Sequence, residues 1–163
     1  MSDTSIFPDD DADDDSVLPP FPDKHVLVIE GNVNMARAIV RVLQRAGYQT
    51  TVASDPSMAL LLLRTIRPAV MTLDLRMINI GEGLGVLHEL LRQRESTGAV
   101  HCKVLVVSGD PRTDMQLALA MGAHGALCKP LHNAALLAEI DRLYALSKED
   151  AEAGTRTGNA PLH

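Results

Sequence analysis

Tryptophan is absent from this 163-residue chain, both phenylalanines lie in its first 21 residues, and Tyr48 and Tyr144 are the remaining aromatics. A flavin held by ring stacking would find little to rest on, which argues against a small flavin-binding protein. The two cysteines, Cys102 and Cys128, lack C-x-x-C spacing. Neither a secretory apolar region nor a run long enough to cross a bilayer is present. The expectation is a reduced, cytoplasmic protein without membrane attachment. Cys128 beside Lys129 suits a small buried core residue better than a reactive thiol.

Lys and Arg are missing from residues 1–23, which carry eight of the 21 acidic residues, all Asp, so the rest of the chain holds 15 basic and 13 acidic groups. The formal charge of -6 therefore belongs to the N-terminal segment. A nearly neutral remainder gives no electrostatic reason to expect nucleic acid as a partner.

The length fits one domain with a continuous core. Residues 1–24, with their Asp runs and Pro8, Pro19, Pro20 and Pro22, lack the apolar content that ordering requires and are expected to be a mobile acidic tail. The folded unit is expected over 25–147, with a flexible tail over 148–163. Within it, strand-like runs at 25–29, 49–53, 69–73, 103–107 and 125–128 alternate with segments of helical periodicity. Asp55-Pro56 and Asp110-Pro111 read as capped helix starts, Asn133 as a third cap, and Gly47 and Gly122 as helix ends. Strict alternation predicts an α/β fold, a doubly wound parallel sheet with helices on both faces.

Polar residues close three of the apolar runs: Asp74, Ser108 and Lys129. The carboxyl ends of parallel strands open onto one crevice, where a carboxylate, a hydroxyl and an ammonium can meet a phosphoryl group. With Glu30 after the first strand, Asp74-Leu75-Arg76-Met77 followed by Gly83-Leu84, Ser108-Gly109, and Gly122-Ala123-His124-Gly125 leading into Lys129-Pro130, residues 25 to about 146 resemble the receiver domain of bacterial two-component response regulators.

The resemblance implies a flavodoxin-like (βα)5 fold of strand order 2-1-3-4-5, here without an output domain. It implies Asp74 as phosphoacceptor, phosphorylated by a histidine kinase or histidine phosphotransfer protein, with Ser108 and Lys129 binding the phosphoryl group and a cis bond before Pro130. Mg2+ would be held by Glu30, Asp74 and the backbone carbonyl of Arg76. Such a domain is not an enzyme; it signals to a downstream protein through contacts.

Three departures stand out. Gly31 replaces the second acidic residue usual after the first strand, so a water or the longer Glu30 side chain would have to supply the missing metal ligand. The loop after Asp74 has Ile78 where Pro is usual. Ala126 occupies the place of an aromatic residue that reports the movement of the Ser108 hydroxyl, leaving phosphorylation to act through Ser108, Gly109, Asp110 and the fourth helix. Arg76, Asp110, Met77 and Pro130 would flank the pocket, with Arg76 and Asp110 either paired across its mouth or solvated. The incomplete acidic set leaves open a second class, a pseudo-receiver that binds proteins without accepting phosphate.

Elsewhere, Arg37, Arg41 and Arg45 form an i, i+4 row, suited to a solvated face or to docking. The Met58–Leu63 run is wider than one helical stripe, as deeper burial or an exposed contact patch would require. The glycines around Gly83 lack dinucleotide-loop spacing, and the histidines lack metal-ligand spacing.

Overall fold

Five short apolar runs become parallel strands because helices cover them from both sides, leaving few positions that need to be polar. The computed structural model describes residues 24–76, 82–96, 101–110 and 114–157. In chain order the elements are β1 (His25–Ile29), α1 (Val33–Arg45), β2 (Gln49–Ala53), α2 (Pro56–Thr65), β3 (Val70–Asp74), α3 (Glu82–Ser96), β4 (Lys103–Ser108), α4 (Asp114–Met121), β5 (Gly125–Cys128) and α5 (Asn133–Thr157). All strand pairs are parallel, and the sheet order is β2-β1-β3-β4-β5. This is the flavodoxin-like order expected from the sequence.

Alternation along each strand divides the core in two. Leu27, Ile29, Met71, Leu73, Val104 and Val106 pack with Ala59 and Leu63 of α2, Leu87 and Leu90 of α3, and Ala118 of α4. The intervening Val26, Val28, Val70 and Leu105 pack with Ile39 and Leu43 of α1 and Leu136, Ile140 and Leu143 of α5. β3 and β4 are buried at every residue, as central strands must be, whereas the edge strand β2 begins exposed.

The helix boundaries follow local chemistry. Asp55 caps α2 through a hydrogen bond from the Met58 N–H at 2.8 Å, ahead of Pro56 at the first helical position. Asn32, a cap the sequence did not announce, accepts from the Met35 N–H at 3.0 Å. Gly47 (φ 88°) and Gly122 (φ 116°) follow α1 and α4 in the left-handed region. One expectation is corrected. Asn133 is the first residue of α5, and the Leu136 N–H donates to the His132 carbonyl, placing the cap one residue earlier. The described part of α4 starts at Asp114, and the helix start expected at Pro111 lies outside the described residues.

The mobile tail expected from 148 is also corrected, because α5 continues to Thr157. Lys148 to Ala153 are mostly good helix formers. The ammonium of buried Lys103 at the base of β4 forms an ion pair with Asp150, which ties this last stretch to the sheet. The expected acidic tail over 1–24 lies outside the described residues except for Lys24. Of the Met58–Leu63 run, Ala59 and Leu63 are buried whereas Met58 and Leu61 face solvent. Cys102, not Cys128, is the buried thiol, and burial pushes it up to about 12; Cys128 is only half-buried.

His124 links the end of α4 to the sheet. The Val104 N–H donates to its Nδ1 at 3.0 Å, and Arg94 Nη1 lies 3.0 Å from its Nε2. A doubly protonated ring can accept from neither. Burial, then the charges of Arg94 and Lys103, hold its pKa down to about 4, with Asp150 opposing and Arg142 adding to the effect. Between pH ~6.5 and ~4 the unfolded chain therefore binds a proton that the folded chain refuses, so this contribution is complete above ~6.5 and is lost as pH falls. Urea midpoints measured across that window should fall less steeply in His124→Gln than in the parent; equal slopes would contradict this.

Candidate functional site

The carboxyl ends of β1, β3 and β5 bring Glu30, Asp74 and Lys129 together. Glu30 follows β1 and Asp74 ends β3, and they are only 3% and 6% exposed. The Lys129 Nζ lies 2.8 Å from Asp74 Oδ2 and 3.5 Å from Glu30 Oε2. The remaining carboxylate oxygens are held by the backbone: the Arg76 N–H donates to Asp74 Oδ1 at 2.9 Å and the Asn32 N–H to Glu30 Oε1 at 3.0 Å. Both carboxylates are thus fixed by the turns that follow their strands. The Lys129–Pro130 bond is cis.

The electrostatics separate the two acids. Burial raises the Glu30 pKa, the Asn32 N–H opposes this, and the neighbouring Asp74 charge raises it further, for a net increase. Burial also acts upward on Asp74, but the hydrogen bond from Lys129, the Arg76 N–H and the Lys129 charge outweigh it, and the net shift is downward. Desolvation acts against the Lys129 charge, yet its hydrogen bond to Asp74 and the charges of Asp74 and Glu30 raise its pKa overall. The pocket therefore holds an ionised aspartate and a firmly charged ammonium.

Ser108 ends β4, the strand beside β3, with Asp74 in register with Val107. Its hydroxyl is fully buried and donates to Asp114 Oδ2 at 3.2 Å, while the Asp110 N–H donates to Ser108 Oγ at 3.1 Å. Its carbonyl accepts from the Lys129 N–H at 2.8 Å, joining the ends of β4 and β5. Arg76 lies across the mouth: its guanidinium is 3.7 Å from Asp110 and 3.9 Å from Asp114. Asp114 is a member that sequence reasoning missed. Its buried carboxylate, at the first turn of α4, is bound to the Ser108 hydroxyl, and no spacing rule marked it. Ala126 sits half-buried in β5, and Met77 lies outside the described residues.

Among the described residues no three His, Cys, Asp or Glu side chains are gathered around a possible metal position. Two carboxylates nevertheless fit Mg2+, which is commonly held by one or two carboxylates and keeps several waters. No helix among the described residues is long and apolar enough to cross a membrane.

Comparison with known proteins agrees with this fold. The model of the response regulator receiver domain matches residues 26–141, and the chain belongs to that family of two-component signalling domains. The regulatory protein VirG of Rhizobium radiobacter is 26% identical over 121 residues, which are 73% of this chain and 43% of VirG. The DNA-binding response regulator MtrA of Mycobacterium tuberculosis is 28% identical over 130 residues, 79% of this chain and 54% of MtrA. The chain thus spans about half the length of these curated relatives. Among solved structures, the signal receiver domain of a response regulator from Bermanella marisrubri is 38% identical with a TM-score of 0.65, covering 74% of this chain and 98% of that one. The Francisella response regulator 1452 receiver domain is 27% identical, also at a TM-score of 0.65, covering 76% and 98%.

Proposed function

We propose that Asp74 accepts a phosphoryl group from a phosphohistidine on a histidine kinase or histidine phosphotransfer protein, and that the modified domain signals through protein contacts. The observation that carries this is the Lys129 ammonium 2.8 Å from an aspartate that is buried yet kept ionised. An Asp74 oxygen would form the new bond to phosphorus while the P–N bond of the donor breaks, its electron pair staying on the imidazole. Lys129 would offset the charge on the incoming oxygens, and the Ser108 hydroxyl would turn from Asp114 to one of them. The role of the domain in chemistry ends there: it assists its own phosphorylation and dephosphorylation and transforms no other substrate.

Receiver domains typically bind Mg2+ at this site. Glu30, Asp74 and the backbone carbonyl of Arg76 would hold it here, where it would add two positive charges beside the phosphoryl oxygens. Gly31 leaves the site one carboxylate short of the family pattern. Gly31 does not have a positive φ, so its backbone accepts a side chain. Gly31→Asp is expected to tighten Mg2+ binding by about tenfold or more, since affinity follows the charge count of the ligands; an NMR titration giving the same Kd for both proteins would refute this.

Incubation with acetyl phosphate and Mg2+, followed by intact-mass measurement, tests the main proposal. A single phosphoryl increment that disappears in Asp74→Asn is expected. Its absence from the parent, even with a cognate kinase supplied, would leave the phosphate-independent adaptor that the short acidic set also allows.

A further inference from the structure

Beside the phosphoryl pocket, α1 and the edge strand β2 enclose a groove of about 640 Å³. Val33, Val40 and Val52 give it an apolar lining, and Arg37, Arg41 and Arg45 run along it at helical spacing. Val33 is 62% exposed, an uncovered apolar residue at the start of the helix. None of the three arginines forms an ion pair with another described residue. Glu30 and Gly31 also line the groove, so it extends from Arg45 to the edge of the pocket. Three like charges on one helix face, four residues apart, repel one another and favour an anionic occupant.

The chain itself holds one. Residues 9–15 include six Asp, and no Lys or Arg lies among residues 1–23. Ile6 and Phe7 precede this acidic run, and Val17, Leu18 and Phe21 follow it, so the segment matches both the arginine row and the valine lining. Its point of attachment is suitable. Lys24 lies at the Arg45 end of α1, where its Nζ donates to the Ala46 carbonyl at 3.3 Å and its own carbonyl accepts from the Gln49 N–H at 2.8 Å. From Asp15 to Lys24 an extended chain reaches about 30 Å, and the 13 residues of α1 span about 20 Å. The acidic run can therefore lie along the whole row.

We propose that residues 1–23 occupy the α1–β2 groove of their own chain, setting Asp9–Asp15 against Arg37, Arg41 and Arg45. Whether Asp74 accepts phosphate does not enter the test below, so the two proposals fail separately.

Backbone NMR of the full chain, with all six Asp of residues 9–15 changed to Asn, reads the contact directly. Amide resonances of Val33–Arg45 and of 50–54 should move relative to the parent. The same resonances should move in the parent when salt is raised from about 0.05 to about 0.5 M, which shortens the screening length to a few ångströms. With Arg37→Gln, Arg41→Gln and Arg45→Gln combined, resonances of residues 9–15 should sit where high salt puts them in the parent. The proposal is overturned if α1 and β2 are unmoved, if the shifts map to another face, or if they depend on protein concentration, which would assign the contact to a second copy.

Discussion

Lys129→Met is expected to slow phosphoryl uptake at Asp74 from acetyl phosphate by about 10²- to 10³-fold. Two unit charges 4 Å apart interact by about 4 kcal/mol at an effective dielectric near 20, and each 1.36 kcal/mol is a factor of ten in rate. Removing the ammonium therefore forfeits at most about three decades; the partial exposure of the Lys129 side chain lowers that figure, and the short carboxylate set keeps it from becoming small. Met retains the apolar stem, so packing changes little. The Asp74 pKa should rise in the variant, because the first of the groups opposing its desolvation is gone. An intact-mass time course measures the rate, and uptake within about threefold of the parent would show that Lys129 does not carry the charge compensation.

Gly83→Ala is expected to destabilise the domain by at least about 3 kcal/mol, at the upper end of overpacking costs, and to lower Tm by about 10 °C. A Cβ at Gly83 would lie 1.8 Å from the Leu75 carbonyl oxygen, and its nearest neighbours are all backbone atoms that no rotamer change can move away. The start of α3 would have to separate from the turn that carries Asp74 and Arg76. A thermal melt checks this, with Gly85→Ala as the comparison, since a Cβ there meets nothing within 4 Å. Equal melts for the two variants would show that the α3 start shifts freely.

Much of the architecture is legible before any coordinates, because burial on both faces leaves a plain mark. The runs that became β1, β3 and β4 are mostly apolar, and the polar residues that close β3 and β4, Asp74 and Ser108, face the crevice. The partners of those residues are harder to read. Asp114 lies six positions beyond Ser108, and its carboxylate becomes part of the site only because the first turn of α4 lies against the end of β4. The end of α5 was misjudged for a related reason. Its last stretch is polar enough to pass for a solvated tail, and the contact that gives it a place, Lys103 to Asp150, joins residues 47 apart.

A hydroxyl has a single hydrogen to give. In this structure Ser108 gives it to Asp114, so any other acceptor that recruits it takes it from a carboxylate largely removed from water. Desolvated carboxylates deprived of a donor must find another, and the Arg76 guanidinium stands 3.9 Å away, already shared with Asp110. One hydrogen bond redirected at the end of β4 would thereby become a demand on the first turn of α4.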